Sequence, residues 1–116
     1  MRYRGELGKV AMTGGLGLLG NVERIGGVQQ KLEAAHVGGF TRVIFPASNK
    51  EELEAAVAKL WPNSLSFSSG YQGAHDTITV IIDVKDALIS TDGPIIIRLH
   101  LVRHVLDIMA IVISGE

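Results

Sequence analysis

A lysine set among apolar residues at helical spacing is the first residue here that could do chemistry. In the run from Gly26-Gly27 to Ala35, Val28, Lys31, Leu32 and Ala35 fall on the i, i+3, i+4, i+7 face of one helix. Lys31 therefore sits on or beside an apolar stripe. Taking an ammonium out of water favours its neutral amine, which can act as a base. A serine–lysine dyad uses such an amine to remove the hydroxyl proton as the serine attacks. The same spacing fits a lysine whose stem packs while its ammonium reaches water.

Three other constellations invite the same question. Gly15-x-Gly17-x-x-Gly20 matches the bare dinucleotide pattern, which works only where it opens a helix that holds the pyrophosphate. Here Gly26-Gly27 interrupts the residues that follow, and no phosphate-binding lysine comes after Gly20. His100-x-x-x-His104 would place two imidazoles on one helical face, but Leu101 stands where a zinc peptidase needs glutamate. A solvated helix face is the plainer reading, and no metal site is expected. Asp83, Asp86 and Asp92 read as caps and turn residues.

The elements that must position Lys31 are legible around it. A helix runs from Gly26-Gly27 to about Val37 and is stopped by Gly38-Gly39. Upstream, residues 10–13 are apolar, and 21–25 suit a short edge strand. Residues 41–45 predict a buried strand ended by Pro46. Ser48 with Glu51 forms a capping box for a helix whose buried face is Leu53, Val57 and Leu60, ended at Trp61-Pro62. Strands follow at 64–69 and 77–82, separated by a polar loop at 70–76, and Asp83 caps a short helix over 84–89. Asp92-Gly93-Pro94 marks a turn. Leu99, Val102, Leu106 and Met109 then predict an amphipathic helix over 98–112, with 95–97 as a strand before it. His100, Arg103, His104 and Asp107 take its polar face. Strands alternating with helices make this an α/β domain, a single unit over 1–116.

Composition narrows the function classes. The 116 residues are 47% hydrophobic and 20% charged, an ordinary globular balance. Eleven basic residues against twelve acidic ones give a net charge of −1, which argues against non-specific nucleic-acid binding. Without cysteine there is no thiolate nucleophile and no cysteine-based metal site. The longest apolar run, 108–113, falls far short of the ~20 residues of a membrane span, so a soluble chain without membrane partners is expected.

A longer pattern organises these pieces. Val10-Ala11-Met12-Thr13-Gly14, then Leu18, Gly20, Val22 and Ile25-Gly26-Gly27, resembles the proteolytic domain of Lon, the ATP-dependent serine protease. So does the continuation through Lys31-Leu32-x-Ala34-Ala35-His36, Gly39, Val43-Ile44-x-Pro46 and Asn49-x-x-x-Leu53. The resemblance runs without a gap over 8–55, is looser over 77–89, and fades over 92–116. It implies a Lon proteolytic-domain-like α/β fold and serine-type endopeptidase chemistry on unfolded polypeptides. It implies Lys31 as the catalytic lysine with Thr13 close to it, and it brings no cofactor or metal. Ring-shaped homo-oligomers, and a bacterial cytoplasmic or mitochondrial matrix setting, are further implications.

The departures set the remaining expectations. Gly15 replaces the family's usual acidic residue, Gln29 replaces the first lysine of the helix motif, and Arg24 stands where proline is common. The family carries its nucleophile upstream in Asp-Gly-Pro-Ser-Ala-Gly. Ten residues precede Ala11 and none is serine, so the domain reads as N-terminally truncated. Asp92-Gly93-Pro94 repeats the first three letters but continues into Ile95-Ile96-Ile97, a pattern a circular permutation would leave. The chain alone is expected to be weak or inactive as a peptidase, and nothing in it supplies the ATPase module. Two other classes stay open: a non-catalytic oligomerisation or remnant module, and a nucleotide-binding protein using the turn from Gly15 to Gly20.

Overall fold

The structure is a computed structural model that describes residues 10–12, 20–71 and 75–114. The regular elements are β1 (Val10–Met12), α1 (Val28–Val37), β2 (Arg42–Pro46), α2 (Lys50–Leu60), β3 (Leu65–Tyr71), β4 (His75–Ile82), β5 (Ile95–Val102) and α3 (Val105–Ser114). The five strands form one sheet in the order β1-β2-β5-β4-β3. β1, β2 and β5 run parallel, whereas β4 is antiparallel to β5 and β3 to β4.

Alternation along the strands divides the core between two faces, because successive strand side chains point to opposite sides. Val43 and Phe45 of β2, Ile97, Leu99 and Leu101 of β5, and Ile78, Val80 and Ile82 of β4 meet α1 and α2 through Val28, Leu32, Leu53 and Val57, with Trp61 just after α2. On the other face Ile44 and Val102 pack with Ile111 of α3, joined by Val22 and Ile108. Both faces of β2 are thus covered, which is why all five of its residues are buried. Among the described residues, no helix is long and apolar enough to cross a membrane.

The helix expected over 98–112 is half strand. Ile95, Ile97, Leu99 and Leu101 alternate as well as Leu99, Val102, Leu106 and Met109 recur at helical spacing. The slot between β2 and β4 decides in favour of β5, and only Val105–Ser114 is helical. His100 and His104 therefore do not share a helical face. The edge strand expected over 21–25 reduces to one isolated bridge, Asn21 with His104. There Val22 N–H donates to the Arg103 carbonyl at 2.8 Å, and the chain then turns toward α1. Gly20 allows this crossing: its φ is +85°, and a Cβ on it would come within 3.0 Å of the His104 ring.

The expected capping box also gives way. A 3-10 turn, Ala47–Asn49, precedes α2, and no side chain caps that helix. Asn49 rather than Ser48 occupies the boundary, with its amide turned elsewhere. β3 extends through Tyr71 and β4 begins at His75, which shortens the polar loop expected over 70–76. The helix expected over 84–89 is a 3-10 turn, Val84–Asp86, with Asp83 accepting from Val84 N–H at 2.8 Å as a cap should.

Candidate active site

α1 carries Lys31 and is fastened at both ends. Before it, the Asn49 side chain accepts from Ile25 N–H at 2.9 Å and donates to the Ile25 carbonyl at 3.0 Å. One buried side chain thereby completes both polar groups of a backbone residue that belongs to no ladder. The same amide donates to the Glu52 carboxylate, which pairs with Arg24 at 2.9 Å. Gly27 then begins the helix at φ +65°, a conformation that favours glycine. At the far end His36 is buried, edge-on to Trp61 with ring centroids 5.2 Å apart. Its Nε2 accepts from Leu88 N–H at 3.0 Å, so the ring is held neutral with its proton on Nδ1. Burial pushes its pKa down accordingly.

Lys31 lies in this frame one turn into α1. The buried stripe is Val28, Leu32, Ala35 and His36, and Lys31 sits beside it, exposed. Its amine is at the surface rather than withdrawn from water. Its Nζ donates to the Gly26 carbonyl at 3.1 Å, which folds the side chain back over the helix start. This end of α1 faces the C-terminal ends of the parallel strands, since Asn49 follows β2 directly. Thr13 falls immediately after β1 in the chain and lies outside the described residues. So do Gly15 and Gly17.

Asp92-Gly93-Pro94 is at the wrong end of the sheet for the permuted arrangement. Pro46 pairs with Val102 at the Lys31 end, while Ile95 begins β5 beyond the Arg42–Arg98 pair at the other end. Eight strand residues separate the two ends by roughly 25 Å. α3 starts near Gly20, where Val105 N–H donates to the Gly20 carbonyl at 2.8 Å, but it packs on the face opposite α1.

Beneath α3 lies a polar cluster not anticipated from spacing. His75 and His100 are 5% and 0% exposed, with His75 Nε2 and His100 Nδ1 3.0 Å apart. Thr77 Oγ1 stands 3.5 Å from the same Nδ1, and Arg42 donates to the Ile111 carbonyl at 3.2 Å. Burial, then the neighbouring His75, Arg42 and Arg98, pushes the His100 pKa down to about 3. His75 is also lowered by burial, against an opposite pull from Asp107 and Asp76. Register alone brings this pair together: Thr77 faces His100 across β4 and β5, and no sequence spacing encodes that. Among the described residues no cluster of three metal-ligating side chains occurs.

The helix that bears Lys31, its glycine start and its Asn49 anchor all fall inside one family match. The model of the Lon protease (S16) C-terminal proteolytic domain matches residues 4–82. This chain belongs to that family. Lon protease 2 of Sorangium cellulosum is 51% identical over 45 residues, 39% of this chain and 6% of the relative. Lon protease of Escherichia coli K12 is 53% identical over 45 residues, 39% of this chain and 6% of its own length. Lon protease of Heliobacterium modesticaldum is 46% identical over 52 residues, 45% and 6% respectively. These matches span about 6% of each Lon relative's length. No solved structure matches. The Lon match ends at Ile82, ahead of β5 and α3, so the strand at the middle of this sheet lies outside it.

Proposed function

We propose that this chain provides the lysine half of a Lon-type serine endopeptidase site, with Lys31 as the general base. The observation that carries the reading is the placement of Lys31. It stands on a helix clamped by Asn49 and His36, its amine is held against the Gly26 carbonyl, and by resemblance to the family it corresponds to the catalytic lysine. In that chemistry a serine oxygen attacks the peptide carbonyl while the lysine amine takes its proton. The tetrahedral adduct then collapses as the lysine passes that proton to the leaving amine, and water releases the acyl group from the acyl-enzyme that remains. Thr13 would help to position the amine. Substrates by this reading are unfolded polypeptides, and ring assembly and ATP-driven delivery belong to longer Lon proteins.

By itself the chain is proposed to be weak or inactive. The segment that echoes the nucleophile motif continues into Ile95 and sits at the opposite end of the sheet, so it presents no hydroxyl to Lys31. Hydrolysis of an unfolded protein by the purified chain, beside Lys31→Ala, tests both statements. No turnover by either protein is expected. Turnover that Lys31→Ala abolishes would keep Lys31 as base and refute inactivity. Turnover that survives Lys31→Ala would remove Lys31 from the mechanism.

A further inference from the structure

We propose that β3 is a docking edge for a second copy of this chain, two β3 strands pairing antiparallel about a two-fold axis. β3 ends the strand order, and among the described residues no strand lies beyond it. Exposed edges of this length are normally blunted by charge, proline, a bulge or a covering element. Leu65–Tyr71 reads Leu-Ser-Phe-Ser-Ser-Gly-Tyr, with no charged residue and no proline in seven positions.

Its outward face is apolar where it meets solvent. The register of Leu65 with Ile81 and Phe67 with Thr79 places both side chains on the α3 face of the sheet. α3 covers Ile44 and Val102 there, and leaves Leu65 67%, Phe67 54% and Ile96 50% exposed. Ile96 pairs with Ile81, so this apolar strip crosses three strands and stops at the β3 edge.

The strand is its own complement. A two-fold axis perpendicular to the sheet keeps the same face on the same side in both copies. A register centred on Ser66 then sets Leu65 of each copy opposite Phe67 of the other. That arrangement yields two apolar cross-strand pairs, the unit by which sheets are stabilised. An unrelated extended peptide would have to supply both partners itself. No like charges meet along the seam, because β3 carries none. The contact is isologous and closes at two copies, unlike the head-to-tail contacts of a ring. It is independent of Lys31 and of peptidase activity.

Pairing of this kind buries an area near or below ~1,200 Å², the range of weak complexes. A dissociation constant on the order of 10–100 µM is therefore expected. Sedimentation equilibrium of the whole chain across that range tests it. Phe67→Lys and Leu65→Lys, both at exposed positions, should weaken association about tenfold or more without changing the circular dichroism spectrum. The sequence contains no cysteine, so Ser66→Cys should give a disulfide-linked dimer on mild oxidation, while Val37→Cys on α1 should not. A chain that stays monomeric throughout overturns the proposal. So does an assembly that survives Phe67→Lys. If the lysine variants fail to fold, the Ser66→Cys cross-link decides by its presence or absence.

Discussion

Asn49 is buried at 0% exposure yet caps nothing in its own helix. Its amide instead serves the backbone of Ile25, 24 residues earlier, which fixes where α1 begins and hence where the Lys31 amine points. Replacing it with alanine leaves an N–H and a C=O without their partner in a part-buried site. At ~1–3 kcal/mol for such groups, Asn49→Ala is expected to cost about 2–4 kcal/mol in urea denaturation. A loss below about 1 kcal/mol would mean water substitutes for the amide. Asn49→Asp keeps the acceptor for Ile25 N–H but not the donor, and should fall between the two. The sequence marks Asn49 only by family resemblance. Local pattern suggests Ser48 as the cap, because a capping box can be seen along a chain whereas a bond across 24 residues cannot.

At the scale of elements, the His75–His100 pair joins β4 to β5 under α3, and its chemistry makes that junction sensitive to acid. Both rings are neutral in the fold, with pKa values lowered, and His36 on the other face is lowered too. Below pH ~6.5 the unfolded chain takes up protons on these residues more readily than the folded chain does. Stability is therefore full above that value and falls as pH drops, continuing for His100 down to about 3. His100, lowered to about 3, contributes a slope of ~1.4 kcal/mol per pH unit in that window, and His36 and His75 add to it in the same direction. Urea midpoints should fall steadily from pH 7 to pH 5, and His100→Asn should flatten the dependence by about one proton. A flat profile in the parent chain would contradict the neutral assignment. α1, β2 and α2 were legible because glycine stops, Pro46 and single-face periodicity agree there. β5 was not, because 95–109 satisfies period two and period 3.6 at once. Only the neighbouring strands choose between them.

At the scale of the molecule, the sheet is assembled out of chain order. β2 and β4 are separated by β5, which pairs with β2 in parallel and with β4 in antiparallel. The family match stops before this strand, so resemblance alone would describe a sheet with an open middle. A chain cut after residue 90 is accordingly expected to lose cooperative unfolding, since Val43, Phe45, Ile78 and Val80 would face a gap where Ile97, Leu99 and Leu101 belong. A sharp urea transition in that shortened chain would show that β2 and β4 can close on each other.

The late arrival of β5 also governs how the protein is made. Roughly 50 residues lie between the end of β2 and the start of β5, about 3–10 s of synthesis at ~5–20 residues per second. For most of that interval β2 alone waits for β5, and β4 joins it only once Ile82 has been made. The nascent chain is then a natural client for holding factors, and vulnerable to pairing with another unfinished chain.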